Sequence, residues 1–104
     1  MNIIATDIHV GDNTFMEVEL LSHIDAMNKY PERIVFMSWP HFCSDVSSDV
    51  AKRFPNDMMI YIGEDDGGCC ANDLFFEIMD QYDKETYNIL QWSDLHDRVF
   101  IYYK

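Results

Sequence analysis

The sequence predicts an α/β domain with a mostly parallel sheet, helices on both faces and a C-terminal antiparallel hairpin. Three observations lead there. The apolar runs NIIATD (2–7), RIVFMSW (33–39) and MMIYIG (58–63) are continuous rather than alternating, as strands buried on both faces are. Segments of helical period stand between them. Two late runs rich in β-branched and aromatic residues are joined by a short polar turn, the pattern of a hairpin.

Taken in order, NIIATD (2–7) is a short β-branched strand. HVGDNT (9–14) is a loop built on Gly11, Asp12 and Asn13. FMEVE (15–19) alternates and suits a short edge strand. LLSHIDAMNKY (20–30) sets Leu20, Leu21, Ile24, Met27 and Tyr30 on one helical face, and Pro31 ends it. RIVFMSW (33–39) is a strand closed by Pro40. DVSSDVAKRF (45–54) groups Val46, Val50, Ala51 and Phe54 on one helical face. MMIYIG (58–63) is another continuous strand. ANDLFFEIMDQY (71–82) is a helix with Asn72 or Asp73 as its cap. ETYNILQW (85–92) and DRVFIYY (97–103) are the hairpin strands.

The chain has 104 residues, 48% of them hydrophobic, so one domain with its own core is expected. No apolar run approaches the ~18 residues that cross a bilayer. The start, MNIIATD, lacks the basic residues of a secretion leader. A location inside the cell, cytoplasm or host nucleus, follows as the expectation. Three cysteines, two of them adjacent, suit free thiols in a reducing compartment. Seven basic residues against nineteen acidic ones give a net charge of −12. That charge repels nucleic acid and leaves a solvated surface or one that meets a basic protein.

The stretch GEDDGGCC (63–70) poses the sharpest chemical question. A phosphate loop is disfavoured because three acids precede the paired glycines. A strand-to-helix turn with Gly67 and Gly68 at positive φ fits better. Zinc would draw on Cys43, Cys69, Cys70 and His41, but the cysteine spacing is not that of a zinc site. A reactive thiol at Cys69 or Cys70 would be opposed by Glu64, Asp65 and Asp66. No metal centre and no catalytic residue is assigned. His96 and Arg98 flank Asp97 at the hairpin and offer a partner contact, or a surface Arg–Asp pair.

Four pieces then align with one family: SWPHF (38–42), YIGE (61–64), GGCCANDLFF (67–76) and LQWSDLHDRVFIYY (90–103). With NIIATDIHVGDNTFMEVE (2–19) they resemble the C-terminal part of a Rossmann-like methyltransferase-like family that uses S-adenosylmethionine. The resemblance implies a truncated Rossmann-like fold that begins at the family's second strand. The Gly-rich cofactor loop has no counterpart, since none of the four glycines lies between an early strand and a first helix. His41 also stands where the family has a second proline. By resemblance and by position at strand C-termini, Asp7, Trp39, Pro40 and Glu64 are the cofactor-facing candidates. His41, Phe42, His96 and Arg98 are the candidates for partner or substrate contact.

The expected function is a non-catalytic remnant serving as an acidic binding or structural module, of a kind at home in viruses. It would need no cofactor. The alternatives are a methyltransferase subunit that binds S-adenosylmethionine once a partner or dimer mate completes it, and a nucleic-acid mimic that meets a basic protein. Without its first strand, the sheet is expected to pair the family's second and fourth strands directly, or to recruit a strand from another chain. Self-association is one way to close such an edge.

Overall fold

The computed structural model describes residues 2–14 and 16–104. The elements run β1 (Ala5–Asp7), β2 (Val18–Leu20), α1 (His23–Lys29), β3 (Val35–Ser38), α2 (Val46–Arg53), β4 (Met58–Gly63), α3 (Asp73–Met79), β5 (Asp83–Asn88) and β6 (Arg98–Tyr103). The strand expected at 15–19 is β2, shifted to Val18–Leu20; its first position, Phe15, lies outside the described residues.

The mostly parallel, Rossmann-like sheet expected from the sequence is not what forms. β1 and β2 make a separate two-stranded parallel sheet. The other four strands form a mixed sheet in the order β3-β4-β6-β5. Only β3 and β4 pair in parallel there, and β6 runs antiparallel to both of its neighbours. The expected direct pairing between the strands at 2–7 and 33–39 does not occur, because β1 and β3 share no ladder.

The helices also fail to cover both faces. The buried core joins Met27 of α1, Val50 and Ala51 of α2, Phe54, and Phe75 and Met79 of α3. On the sheet it takes Met37, Met59, Tyr61, Phe100 and Tyr102. These sheet residues all lie on one side of their strands, as the registers Met37↔Tyr61 and Tyr61↔Phe100 show. Right-handed crossovers that step the same way along a sheet land on the same face. The steps β3 to β4 and β4 to β5 both run one way, so α2 and α3 share a face and pack on each other. The opposite face carries Phe36, Ile60, Ile62, Val99 and Ile101, none of which joins the core. Phe36 there is 60% exposed.

Tyr61 is the hub of the core. Its ring packs against Phe75 at 5.1 Å, Phe100 at 5.6 Å and Phe76 at 6.1 Å between centroids, contacts worth about 0.5–1.5 kcal/mol each beyond burial. Polar ties hold the smaller parts. Ser22 caps α1 by accepting the Asp25 N–H at 3.1 Å. His23 reaches Asp49 of α2, Nε2 to Oδ2, at 3.0 Å, and this contact holds the Asp49 carboxyl below its ordinary range. Lys29 reaches Glu19 at 2.7 Å, and the Tyr30 hydroxyl donates to the same carboxylate, which ties β2 to α1. No helix among the described residues is long and apolar enough to cross a membrane.

Candidate functional site

Three features could carry function, and the first is the group of strand ends. Trp39 and Pro40 follow β3, and Glu64 follows β4. The Trp39 N–H donates to the Ile62 carbonyl at 2.8 Å, and the Pro40 carbonyl accepts the Ala71 N–H at 2.8 Å. His41 bridges to Cys70. The structure therefore brings Trp39, Pro40, His41 and Glu64 to one end of the sheet. Asp7 ends β1 on the separate sheet, where its Oδ1 accepts the His9 N–H at 3.1 Å. Phe42 is half exposed and stacks on His41, with 5.4 Å between ring centroids. His41 Nδ1 accepts the Cys43 N–H at 3.1 Å.

Two non-glycine residues in this group have left-handed backbones, Trp39 at φ 48° and Ala71 at φ 60°. Such conformations cost roughly 1–2 kcal/mol per residue and persist only where their surroundings impose them. Here the imposition is the crossing of the 39–41 and 70–71 segments. The GEDDGGCC stretch is indeed a turn between strand and helix. Gly67 has φ 89°, whereas Gly68 does not take the positive φ expected of it.

The cysteines are free, Cys43 and Cys69 exposed and Cys70 buried. The Cys70 sulfur accepts the Glu64 N–H at 2.8 Å and lies 3.2 Å from the Tyr61 hydroxyl, which donates to the Glu64 carbonyl at 2.7 Å. Burial first, and the Cys70 contact second, push the Tyr61 phenol far above its ordinary value. The Cys69 thiol donates to Glu64 Oε1 at 3.0 Å, and that bond pushes the thiol up as well. A raised thiol is a poor nucleophile at neutral pH. Glu64→Gln keeps an acceptor but removes the charge, so Cys69 should be alkylated by iodoacetamide a few-fold faster than in the parent. Mass spectrometry of the 69–70 peptide would read the rate, and an unchanged rate would show that the carboxylate does not control it.

The hairpin residues do not form the surface pair considered from the sequence. His96 and Arg98 are exposed, but Asp97 is only 7% exposed. Its Oδ1 has no hydrogen-bond partner, and no Asp97–Arg98 ion pair forms among the described residues. A buried acceptor left unpaired costs about 1–3 kcal/mol. Asp97→Asn, which removes the charge, should therefore raise stability by about 1 kcal/mol, read as a higher midpoint in urea.

The second feature was not identified from the sequence. An open cleft of about 370 Å³ is lined by Asp65, Asp66, Asp73, Glu77 and Asp80, with Lys84 as its cation. Its apolar lining is Phe76, Met79, Tyr82 and Tyr102. Burial pushes the Tyr102 phenol up, so it stays neutral. The spacing 73, 77, 80 puts three acids on one stripe of α3 and its C-cap, a signal present in the sequence. Only the fold turns that stripe toward Asp65 and Asp66. Among the described residues no group of three or more His, Cys, Asp or Glu side chains is arranged to hold a metal ion.

The third feature is the uncovered sheet face described above. The loop after β5 leaves Leu90 fully exposed and Trp92 80% exposed.

Compared with known proteins, the chain matches no family model, no curated protein and no solved structure.

Proposed function

We propose that the chain is a non-catalytic binding module, a methyltransferase-like remnant whose acidic surface receives a basic protein. One observation carries this reading. The cleft between α3 and the 65–66 turn sets five carboxylates around an aromatic and apolar lining. An arginine or lysine side chain matches both parts, pairing its head with the acids and laying its stem or cation on the rings. The helix-free face supports the same reading through Ile34 and Phe36, 46% and 60% exposed beside half-buried Ile60 and Ile62, since exposed apolar patches mark interaction sites. The separation of Asp7 from Trp39, Pro40 and Glu64 disfavours a cofactor cradle within the isolated chain.

The test is calorimetric, with two ligands. An arginine-rich peptide should bind, with affinity that falls steeply as salt rises. Asp73→Asn combined with Glu77→Gln should weaken that binding about tenfold, as expected when two charge-assisted contacts are removed. S-Adenosylmethionine at millimolar concentration should give no heat. Cofactor binding that Asp7→Ala abolishes would overturn the remnant reading in favour of a methyltransferase subunit. Peptide binding indifferent to the double variant would remove the cleft from the account.

A further inference from the structure

We infer that the free edges of β1 and β3 together receive one extended strand from a basic partner polypeptide, parallel to both. This deepens the binding-module reading, on which it rests, by naming the conformation and chemistry of the partner segment.

The helix layer is continuous where the sheet layer is broken. α1 packs against both β1 and α2, and α2 packs against α3. Beneath them the sheet stops at β1 and resumes at β3. The break is narrow enough at its start for one side chain to span it. Arg33, two residues before β3, donates from Nη1 to the Asn2 carbonyl at 3.1 Å. An extended arginine side chain spans roughly 7 Å from Cα to its terminal nitrogen. Two backbones joined that way can stand about two strand spacings, ~9.6 Å, apart. An interval of that size would admit one added strand.

The backbone groups facing the interval are identifiable. The Trp39 N–H points to β4, since it donates to Ile62. Alternation along the strand turns the Phe36 and Ser38 groups the other way. The Asp7 carbonyl points to β2, where it accepts the Leu21 N–H, so the Thr6 groups face outward too. None of these outward groups has a hydrogen-bond partner among the described residues. The exposed Asp7 carboxylate marks the end of the interval on β1, whereas Glu32 beside the start of β3 already pairs with Arg33 at 3.9 Å. Exposed apolar side chains, Ile34 and Phe36 at 46% and 60%, line the β3 side. An entering segment is therefore apolar in its middle and basic at the end that meets Asp7. A second copy of this chain, at −12, is a poor occupant by charge. Edge pairing of this kind draws affinity from the main chain and specificity from alternate side chains.

The probe is a lysine-flanked valine–threonine peptide, compared with the same peptide N-methylated at every second residue of its central run in each of the two phases. Calorimetry should show the plain peptide binding at or below millimolar concentration. Each methylated form loses donors to one edge and should bind at least about tenfold more weakly. Amide hydrogen exchange on the intact chain should show new protection at Thr6, Phe36 and Ser38. Thr6→Pro with Ser38→Pro, substitutions that edge strands tolerate, should abolish the peptide's binding. Absence of binding, or equal binding of plain and methylated peptides, overturns the inference. So does protection confined to β5, the opposite edge of the sheet. The Asp73→Asn, Glu77→Gln variant separates the two readings. Cleft-dependent binding of the arginine-rich peptide without edge protection keeps the binding module and removes the strand.

Discussion

Gly63→Ala is expected to destabilise the fold by about 3 kcal/mol, more than most single methyl additions. Gly63 ends β4 and is buried. A Cβ there would lie 2.5 Å from the Tyr61 hydroxyl oxygen and 2.7 Å from the Cys70 sulfur. Neither neighbour can yield cheaply. The Tyr61 ring is fully buried among Phe75, Phe76 and Phe100. Its hydroxyl also serves the Glu64 carbonyl and Cys70. Moving the ring disturbs the aromatic cluster, and moving the hydroxyl strands the half-buried Glu64 carbonyl. Urea denaturation followed by circular dichroism gives the value. The double variant Gly63→Ala, Cys70→Ala relieves one of the two clashes and should recover part of the loss. A single variant as stable as the parent would mean that the Tyr61–Cys70–Glu64 contact is looser than its distances imply.

How far the sequence reveals this molecule depends on which forces act locally. Helices α1, α2 and α3 are legible because their apolar periodicity lies within the segments themselves, with Pro31 and Pro55 stopping the first two. The cap of α3 is likewise local to within one residue, Asn72 or Asp73, and the structure selects Asn72. Strand pairing is not local. The run ETYNILQW reads as a strand over 85–92, but β5 is Asp83–Asn88. Its register is set by β6, from Asp83↔Tyr103 to Asn88↔Arg98, and Ile89 to Trp92 lie beyond the last partner.

The continuity of RIVFMSW suggested a strand buried on both faces, yet Ile34 and Phe36 are exposed. Continuity shows that both sides of a strand are apolar; whether anything covers each side depends on the direction of the crossovers. Among the candidate residues, Trp39, Pro40, His41 and Glu64 meet because parallel strands bring their C-termini together, which strand order alone foretells. Asp7 stands apart because no strand joins β1 to β3. The acidic cleft needs α3 to lie beside the 65–66 turn, a tertiary fact. The orphaned Asp97 oxygen is likewise invisible in a sequence where His96-Asp97-Arg98 reads as a surface pairing.

Asn72→Ala should cost about 3 kcal/mol, from more than the loss of a cap. An exposed cap is worth about 1 kcal/mol, which makes Ser22→Ala at the start of α1 the matched control. Asn72 does more. Its Oδ1 accepts the Phe75 N–H at 3.0 Å and the Ser47 hydroxyl at 3.3 Å. Its Nδ2 donates to the Ser44 carbonyl at 3.1 Å and the Ser48 hydroxyl at 3.0 Å. Ser47 and Ser48 are the buried polar residues of α2, at 0% and 1% exposure. Truncation thus strips the buried Ser47 hydroxyl of its acceptor, at roughly 1–3 kcal/mol, although Ser47 Oγ keeps the Asn72 N–H at 3.1 Å and Ser48 keeps the Asp45 carbonyl at 3.1 Å. This network joins α2 to the N-terminus of α3, and α3 carries the acid stripe of the cleft. The loss should therefore appear twice, as a lower urea midpoint and as weaker binding of the arginine-rich peptide under conditions where the variant remains folded. Asn72→Asp separates the two contributions. It retains the cap acceptor but loses both Nδ2 donors, so its stability should fall between parent and Asn72→Ala. Equal costs for Asn72→Ala and Ser22→Ala would show that the serine network adds nothing to the cap.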